Sequence, residues 1–339
     1  MRYIGGKSKL LDFIESTIAA NTRGVRSVMD IFSGSGIVSS FLQSKGYDVI
    51  SNDILYFSHI LNRGSIGIAE VPSFKTLGIP DVLEYLNNLR AEDTTFPAEK
   101  FFITNNYSPT GDCKRMYFQP DNAVKIDIIR LTIEDWKTRG LLNDDEYFYL
   151  LASLINAVPF VSNITGVYAA YLKFWDVRTF NKLHLEAPAV GNPNQTIRCF
   201  NSDFREIAAH PADILYADPP YNERDYFPNY HILETIARYD YPAIKGVTGL
   251  RPYTKSPFCS KKNVEQAFRD LIESSNSRYV LISYNNEALL STEALSEICL
   301  SYAREGTFRL FEKDYRRYKN KIPNNKEGLR EQLYLFEKN

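Results

Sequence analysis

An acidic residue followed by two prolines and a tyrosine is the most chemically distinctive segment of the chain. Asp218, Pro219, Pro220 and Tyr221 come directly after the apolar residues 214–217. Proline fixes φ, lacks an N–H and holds the preceding residue in extended geometry. We therefore expect a stiff turn in which the Asp218 carboxylate and the Pro219 carbonyl accept hydrogen bonds from one amino group, while the tyrosine ring lies against a planar base. The alternative is a turn that only closes a strand, but such a turn has little reason to expose a carboxylate.

A glycine-rich turn follows the first predicted strand. Asp30 ends that strand, and the turn contains Phe32, Ser33, Gly34, Ser35 and Gly36. Glycine lets the backbone approach a ligand where a Cβ would collide, and such a turn at the carboxyl edge of a parallel sheet is typical of nucleotide sites. The fingerprint G-x-G-x-x-G is incomplete, because Ser39 takes its last glycine position. Taken alone, the motif is equally compatible with an ordinary tight turn.

Two further residues fit a nucleotide site. Asp53 follows the second predicted strand, where an acid can accept hydrogen bonds from ribose hydroxyls; a helix N-cap is the alternative. Residues 5–8 read Gly-Gly-Lys-Ser, but Met1 stands where a phosphate loop needs its first glycine, which excludes an ATPase motif. Lys7 remains as a cation able to meet a carboxylate.

These motifs together carry a family resemblance. Asp-Pro-Pro-Tyr after a hydrophobic strand, with Phe-Ser-Gly-Ser-Gly upstream, resembles the S-adenosylmethionine-dependent amino-methyltransferases. Residues 2–11 (Arg-Tyr-Ile-Gly-Gly-Lys-Ser-Lys-Leu-Leu) resemble the leading motif of the α class of adenine-N6 DNA methyltransferases. Residues 222–226 and 229–231 extend the resemblance toward the type II and type IIS modification methylases of restriction-modification systems. The chain follows the order of that class over nearly its whole length: leading motif, glycine-rich motif, recognition insertion, Asp-Pro-Pro-Tyr.

The resemblance implies a cofactor site and a base site. Tyr3 and Lys7 would border the methionine end of S-adenosylmethionine, Asp53 would accept its ribose hydroxyls, and Asp203 and Phe204 would lie by its adenine. The cofactor-binding residues implied are Tyr3, Lys7, Asp30, Phe32, Ser33, Gly34, Ser35, Gly36, Asp53, Asp203, Phe204 and Asp218. The catalytic segment implied is Asp218, Pro219, Pro220 and Tyr221. Ile4 departs from the family, whose members often have proline or alanine there.

The implied reaction is direct in-line transfer of a methyl group to the N6 amino group of adenine in double-stranded DNA, which leaves S-adenosyl-L-homocysteine. The base must leave the duplex, so base flipping is implied. Asp218 favours adenine, since cytosine-N4 enzymes more often carry serine before Pro-Pro-Tyr. Two alternatives stay open: an N-methyltransferase of RNA or of a protein amide, and a non-catalytic DNA-binding module of the same fold.

The elements that must position these residues read as an α/β protein. Residues 26–31, 47–51, 196–200, 214–217 and 279–284 are predicted strands, and residues 307–312 and 332–337 a closing antiparallel pair. Ser8 is expected to cap a helix over residues 9–19, and further helices are predicted near residues 37–45, 81–90, 122–139, 144–157 and 263–274. We expect a Rossmann-like methyltransferase fold with a mixed seven-stranded sheet and helices on both faces. Residues 1–56 and 191–339 would form the catalytic domain, and residues 57–190 a mostly helical target-recognition insertion.

Composition limits the partners. The chain has 40 Lys+Arg and 41 Asp+Glu, a net charge of −1, so DNA binding needs local clusters. The candidate DNA-binding residues are Lys114, Arg115, Tyr226, Arg316, Arg317 and Lys319, the last three in a basic loop that could equally be a solvated surface. Four dispersed cysteines indicate no metal site or disulfide framework and favour a reducing cytoplasm. We expect a protein of the prokaryotic cytosol or nucleoid, without a membrane span, whose genetic partner is a cognate restriction endonuclease.

The basic loop can be tested through the salt dependence of binding. Replacing Arg316, Arg317 and Lys319 together by alanine should flatten the slope of log affinity for DNA against log salt, by roughly one unit per lost phosphate contact. The measurement is a filter-binding titration at several salt concentrations. An unchanged slope would identify the loop as surface only.

Overall fold

One mixed sheet forms the centre of the sheet-containing part of the chain. The computed structural model describes residues 6–195, 197–314 and 328–339. Within them the strands are β1 (Ser27–Asp30), β2 (Asp48–Asn52), β3 (Ile197–Phe200), β4 (Ile214–Ala217), β5 (Tyr279–Asn285), β6 (Arg309–Asp314) and β7 (Arg330–Glu337). Their order is β3-β2-β1-β4-β5-β7-β6, and β7 runs antiparallel to both of its neighbours. The predicted mixed seven-stranded sheet is confirmed.

The helices are α1 (Leu11–Asn21), α2 (Ile37–Ser44), α3 (Tyr56–Arg63), α4 (Val82–Asn88), α5 (Phe102–Tyr107), α6 (Pro120–Thr138), α7 (Asp144–Ala157), α8 (Phe204–Ile207), α9 (Phe227–Arg238), α10 (Val264–Ser274) and α11 (Thr292–Tyr302). The chain between β2 and β3 is helical, as predicted, since α3 to α7 lie there and the described residues of that segment form no strand. None of the helices in the described ranges has the length and apolar character that a bilayer crossing requires.

Both faces of the sheet are covered, which explains its apolar strands. Side chains alternate between the two faces along a strand: Val28 packs with α1 and α2, whereas the next residue, Met29, packs with α8, α10 and α11. The same alternation separates Leu281 from its neighbour Ile282 on β5. Strands buried on both sides read as continuous apolar runs. The prediction of helices on both faces is confirmed.

The chain divides into two compact units. The sheet unit consists of the described residues among 7–54, 195–226 and 254–339, and the helical unit of residues 6, 55–194 and 227–253. The sequence-based division differs in residues 227–253, which it assigns to the catalytic domain. In the structure α9 lies in that segment and packs against α3 and α7 of the helical unit. Target recognition by the helical unit stays a prediction.

Two helices of the helical unit begin without an N-cap of their own, and the sequence gives no prediction for either. The residues before α3 and α5 are Leu55 and Phe101, neither of which caps its helix through a side chain. Glu234 of α9 accepts hydrogen bonds from the backbone N–H groups of Tyr56 (3.1 Å) and Phe57 (2.9 Å). Carboxylates are favoured at such positions, where they satisfy unpaired N–H groups at the positive end of the helix dipole.

Helix α5 is capped in the same way. Asp127 of α6 accepts from the N–H groups of Ile103 (2.9 Å) and Thr104 (2.8 Å). The sequence does not predict this helix, which spans Phe102–Tyr107.

Ser8 does not cap α1. The helix begins at Leu11, and its N-cap position is Leu10, where no side chain caps the helix. The backbone N–H of Leu10 instead donates to the carbonyl of Lys7 at 2.7 Å. Residues 7–10 therefore form a turn, and the helix begins after it at Leu11. The prediction that Ser8 caps the helix is wrong.

The tertiary cap of α3 can be tested by denaturant unfolding. Glu234→Ala should lower the free energy of unfolding by roughly 2–3 kcal/mol, because it leaves two N–H groups of α3 without their acceptor. Glu92→Ala removes an exposed carboxylate of the same unit and should change the free energy by less than about 0.5 kcal/mol. Equal effects of the two substitutions would refute the capping role.

Candidate active site

Both motif turns lie where the strand order reverses. β2 and β3 extend the sheet beyond β1 on one side, and β5 extends it beyond β4 on the other. Ligands of open α/β sheets bind at the carboxyl ends of strands at such a reversal. Residues 31–36 follow β1 and residues 218–221 follow β4, and the register pairs Asp30 with Tyr216. The fold thus places the ends of the two predicted motifs on adjacent strands.

The glycine turn needs its glycines and is fixed by Asp53. Gly34 and Gly36 have φ of +52° and +78°, a left-handed conformation that other residues adopt only with strain. The N–H of Gly34 donates to Oδ2 of Asp53 at 2.8 Å, and the N–H of Ser33 donates to the carbonyl of Asn52 at 2.9 Å. Asp53 therefore holds the turn. Its predicted contact with ribose hydroxyls stays a prediction.

Asp30 is a buried carboxylate with one oxygen unused. Its side chain is almost fully enclosed (1% exposed), and Oδ2 accepts from the hydroxyl of Ser39 at 2.7 Å. Oδ1 is buried and has no hydrogen-bond partner among the described residues. Burial raises the pKa of Asp30 to about 7, although the Ser39 hydrogen bond opposes the shift. Because buried polar atoms are nearly always satisfied, Oδ1 is suited to a cationic or hydrogen-donating ligand.

The rings of Phe32, Phe204 and Phe258 form an aromatic cluster beside the glycine turn. The ring of Phe204 lies 5.9 Å from that of Phe32 and 5.3 Å from that of Phe258. Asp203 caps α8 by accepting from the N–H of Arg205 at 3.0 Å, and the hydrogen bonds from Arg205 lower its pKa. The structure brings Phe32 and Phe204 together, as a shared cofactor site requires. Their contact with a bound adenine stays a prediction.

Asp218 sits in a cluster with one cation and a second carboxylate. The Lys7 ammonium lies 3.2 Å from Oδ1 of Asp218 and 3.1 Å from Oε2 of Glu331, and it also contacts the hydroxyl of Tyr221. Lys7 is 4% exposed and Glu331 5%, whereas the Asp218 side chain keeps 19% of its surface exposed. Lys7 thus meets a carboxylate, as its sequence context suggested.

Electrostatics in this cluster is governed by burial and by the ammonium. Burial raises the pKa of Asp218 and of Glu331, and Lys7 partly offsets both shifts. Burial acts to lower the pKa of Lys7, but the two carboxylates outweigh it and the net shift is upward. Lys7 therefore stays charged, and the two acids retain protons to higher pH than exposed acids do.

Tyr221 is directed at the acid. Its hydroxyl donates to Oδ1 of Asp218 at 2.5 Å, and its ring packs edge-on against Tyr284, with centroids 5.1 Å apart. The predicted stacking of this ring on a base stays a prediction. Pro219 is buried and Pro220 half-buried, so the turn between acid and tyrosine is enclosed on one side.

Sequence reasoning missed Glu331 and Ser283. Glu331 begins the buried part of β7, and the hydroxyl of Ser283 on β5 lies 3.4 Å from that of Tyr221. Neither residue belongs to a motif. The sequence does hold one indication of a role for Glu331, because this acid comes just before Gln332 and the apolar run Leu-Tyr-Leu-Phe. A carboxylate next to a buried strand is rarely buried unless it has a partner.

The candidate DNA-binding residues have different surroundings. Arg115 donates to the carbonyls of Asn106, Gly246 and Val247, which engages three of its nitrogens inside the helical unit and argues against phosphate binding by this residue. Lys114 is exposed with φ of +51°, and Tyr226 is half-buried in the sheet unit. Tyr3, Arg316, Arg317 and Lys319 lie outside the described residues.

A family model now gives this arrangement its context. The model for D12 class N6 adenine-specific DNA methyltransferases matches residues 3–298, a range that includes both motif turns and Lys7. The chain belongs to this family. The resemblance noted in the sequence is thereby confirmed, and the seven-stranded sheet is that of an α/β methyltransferase-like fold.

Individual relatives agree with the family. The chain is 46% identical over its whole length to the type II methyltransferase M.FokI of Planomicrobium okeanokoites and 38% identical to the modification methylase StsI of Streptococcus sanguinis. It covers 53% and 52% of these proteins, so it spans about half their length. It is 35% identical to the type II methyltransferase M.NlaIII of Neisseria lactamica, with 94% of this chain and 92% of that protein aligned.

Proposed function

We propose that this chain transfers a methyl group from S-adenosylmethionine to the N6 amino group of adenine at a specific site in double-stranded DNA. The observation that carries the proposal is the Asp218 carboxylate, held by Lys7 and Tyr221 at the carboxyl end of β4, one strand from the glycine turn. Family membership supports adenine in DNA as the substrate. The names of the relatives support a role in restriction-modification, with a cognate endonuclease as genetic partner, in the prokaryotic cytosol or nucleoid where DNA lies.

The residues around β1 fit S-adenosylmethionine, which has an α-ammonium group and a ribose diol. The unused Oδ1 of Asp30 is a buried acceptor for a cationic or donating group, and Asp53 lies against the backbone of Gly34. The left-handed glycines leave no Cβ between backbone and ligand. When bound, S-adenosylmethionine supplies a methyl group already activated by its positive sulfur, so the protein need supply mainly position and electrostatics.

The turn after β4 would hold the target amino group. The amino nitrogen of adenine is a weak nucleophile because its lone pair is delocalised into the ring. An Asp218 oxygen and the Pro219 carbonyl, accepting one amino hydrogen each, would draw the nitrogen toward tetrahedral geometry and aim its lone pair in line. The negative carboxylate also stabilises the positive charge that develops on nitrogen. No covalent intermediate is needed, but the base must be flipped out of the duplex.

Asp30 generates a prediction on the pH dependence of cofactor binding. A cationic group at Oδ1 favours ionised Asp30, whose pKa in the free protein is about 7. Affinity for S-adenosylmethionine should therefore rise as pH increases from 6 to 8, and Asp30→Asn should bind more weakly and lose most of this dependence. Isothermal titration calorimetry at several pH values measures both effects. Parallel pH profiles for the two proteins would remove Asp30 from the cofactor site.

Asp218 generates the test of the function itself. Asp218→Ala should lower the single-turnover rate of methyl transfer by a factor on the order of 10³ or more, because the amino group loses its charged acceptor. Cofactor affinity should change only modestly. The assay uses labelled S-adenosylmethionine and a random-sequence duplex pool, followed by mapping of the modified adenines, with the exposed Asp12→Asn as a control for charge loss.

Two outcomes would defeat the proposal. Substantial residual turnover by Asp218→Ala would defeat the assigned role of the acid. Transfer by the unaltered chain to RNA or to a protein amide, with none to duplex DNA, would replace DNA as the substrate. Methylation at adenines that share no sequence context would leave the reaction intact and remove its site specificity.

A further inference from the structure

The Lys7 ammonium has three polar partners in the cluster: it donates hydrogen bonds to Glu331 and Tyr221 and forms an ion pair with Asp218. An ammonium group has three N–H donors, and Lys7 contacts Oδ1 of Asp218, Oε2 of Glu331 and the hydroxyl of Tyr221. It is therefore fixed from three directions. Two of these partners belong to the motif after β4, whereas Glu331 reaches the cluster from β7, on the other side of β5.

The two oxygens of Asp218 are not equivalent. Oδ1 faces Lys7 at 3.2 Å and accepts from Tyr221 at 2.5 Å. No described residue donates to Oδ2. Lys7 and Tyr221 therefore anchor the carboxylate through one oxygen and leave the other available to a substrate amino group. An anchored carboxylate is a better oriented acceptor than one that rotates freely.

Lys7 alone would weaken Asp218 as an acceptor. An ammonium paired only with Asp218 cancels its charge, and a neutral pair stabilises little of the positive charge that develops on the amino nitrogen. Glu331 restores the balance, because one cation between two carboxylates leaves an excess of one negative charge. Glu331 also accepts a hydrogen bond of 3.1 Å from the ammonium, which keeps Lys7 beside Asp218.

We propose that Glu331 is a positioning residue for methyl transfer: it holds Lys7 against Oδ1 of Asp218 and keeps the cluster negatively charged. The inference rests on the proposed function. It assigns Lys7 to the base-binding acid rather than to the cofactor alone. The inference also explains why a carboxylate is buried at the start of β7. Glu331 pairs with Asn285 of β5, and the residues that follow Glu331 on β7 are buried as well.

Other titratable groups border the cluster and must be counted in any pH profile. Asp30 on β1 and Tyr216 on β4 both interact with the charge of Asp218, and Tyr221 donates to it directly. Glu331 also acts on Tyr216 and Tyr221, and the Tyr221 hydroxyl lies 3.3 Å from its Oε2. The pKa of both tyrosines is raised well above the usual value, so both stay protonated on the acid limb. A shift of the acid limb caused by the substitution therefore reports on Asp218 and Lys7.

The test is the single-turnover rate of methyl transfer at saturating cofactor and DNA. Glu331→Gln keeps the shape of the side chain and an oxygen for Lys7, but it removes the charge. We expect the rate to fall on the order of 10- to 100-fold with cofactor affinity unchanged. This is less than the roughly 10²- to 10³-fold loss of a group that contacts the reacting atoms, because Glu331 acts through Lys7. The acid limb of the rate profile should move to lower pH, because Lys7 then acts on Asp218 alone and makes it less basic.

The matched control lies on the same strand. Glu337 is six residues further along β7, where it pairs with Arg278 at 3.0 Å and Arg304 at 3.2 Å. Glu337→Gln removes the same charge about 20 Å away and should leave the rate within twofold and the pH profile unchanged. A purely structural role for Glu331 would lower the amount of folded protein without shifting the profile.

A double substitution separates the two parts of the inference. In Lys7→Met with Glu331→Gln, the charge that Glu331 offsets is absent, so the combined loss of rate should be smaller than the product of the two single losses.

Glu331→Asp keeps the charge and should retain the wild-type pH profile; it serves as the test if Glu331→Gln does not fold. Multiplicative losses, or a wild-type rate and profile in Glu331→Gln, would overturn the inference while leaving the proposed function standing. An unaltered chain that transfers no methyl group would overturn both.

Discussion

A buried ammonium between two carboxylates joins three distant parts of this chain. Lys7 is separated by 214 residues from Tyr221 and by 324 from Glu331, yet all meet at the carboxyl end of β4. Removing such charges from water is expensive, and it is tolerated only where partners and hydrogen bonds compensate. The cluster therefore joins the segment around Lys7, the turn after β4 and the start of β7. The proposed catalytic acid is thus held by the same contacts that bring these three segments together.

The parts of the site that could be predicted from sequence are those that are local. Asp218 and Tyr221 lie within four residues of one another and have a stiff turn between them, so their chemistry can be inferred without a fold. The glycine turn is similar, because Gly34 and Gly36 adopt positive φ that few other residues tolerate. Alternating and continuous apolar runs likewise predict the strands and their two covered faces. Each of these features is determined by neighbours along the chain.

What the sequence could not reveal depends on partners far along the chain. Helices α3 and α5 have no cap of their own, since Glu234 and Asp127 arrive from other helices. Nothing in its local sequence distinguishes Glu331 from the other acids of the chain. It reaches the cluster only because β7 pairs antiparallel with β5. Arg115 reads as a cation for phosphate, but three backbone carbonyls engage it. Tertiary contacts of this kind leave no periodic or motif pattern.

The two sides of the strand reversal carry the same electrostatic arrangement. At the end of β1, Asp30 is buried with one oxygen engaged by Ser39 and the other unused. At the end of β4, Asp218 has one oxygen engaged by Lys7 and Tyr221 and the other without a described donor. Burial raises the pKa of both acids, and the charge of Asp218 raises the pKa of Asp30 further. A protein that holds two incompletely paired carboxylates on adjacent strands is less stable for it, so the arrangement needs a compensating gain. In the proposed reaction, cationic groups would supply that gain on both sides: the ammonium of the methyl donor at Asp30, and the charge that develops on the amino nitrogen at Asp218. Two incompletely paired carboxylates at the strand reversal would then favour the binding and transfer of a methyl group that is carried on a positive sulfur.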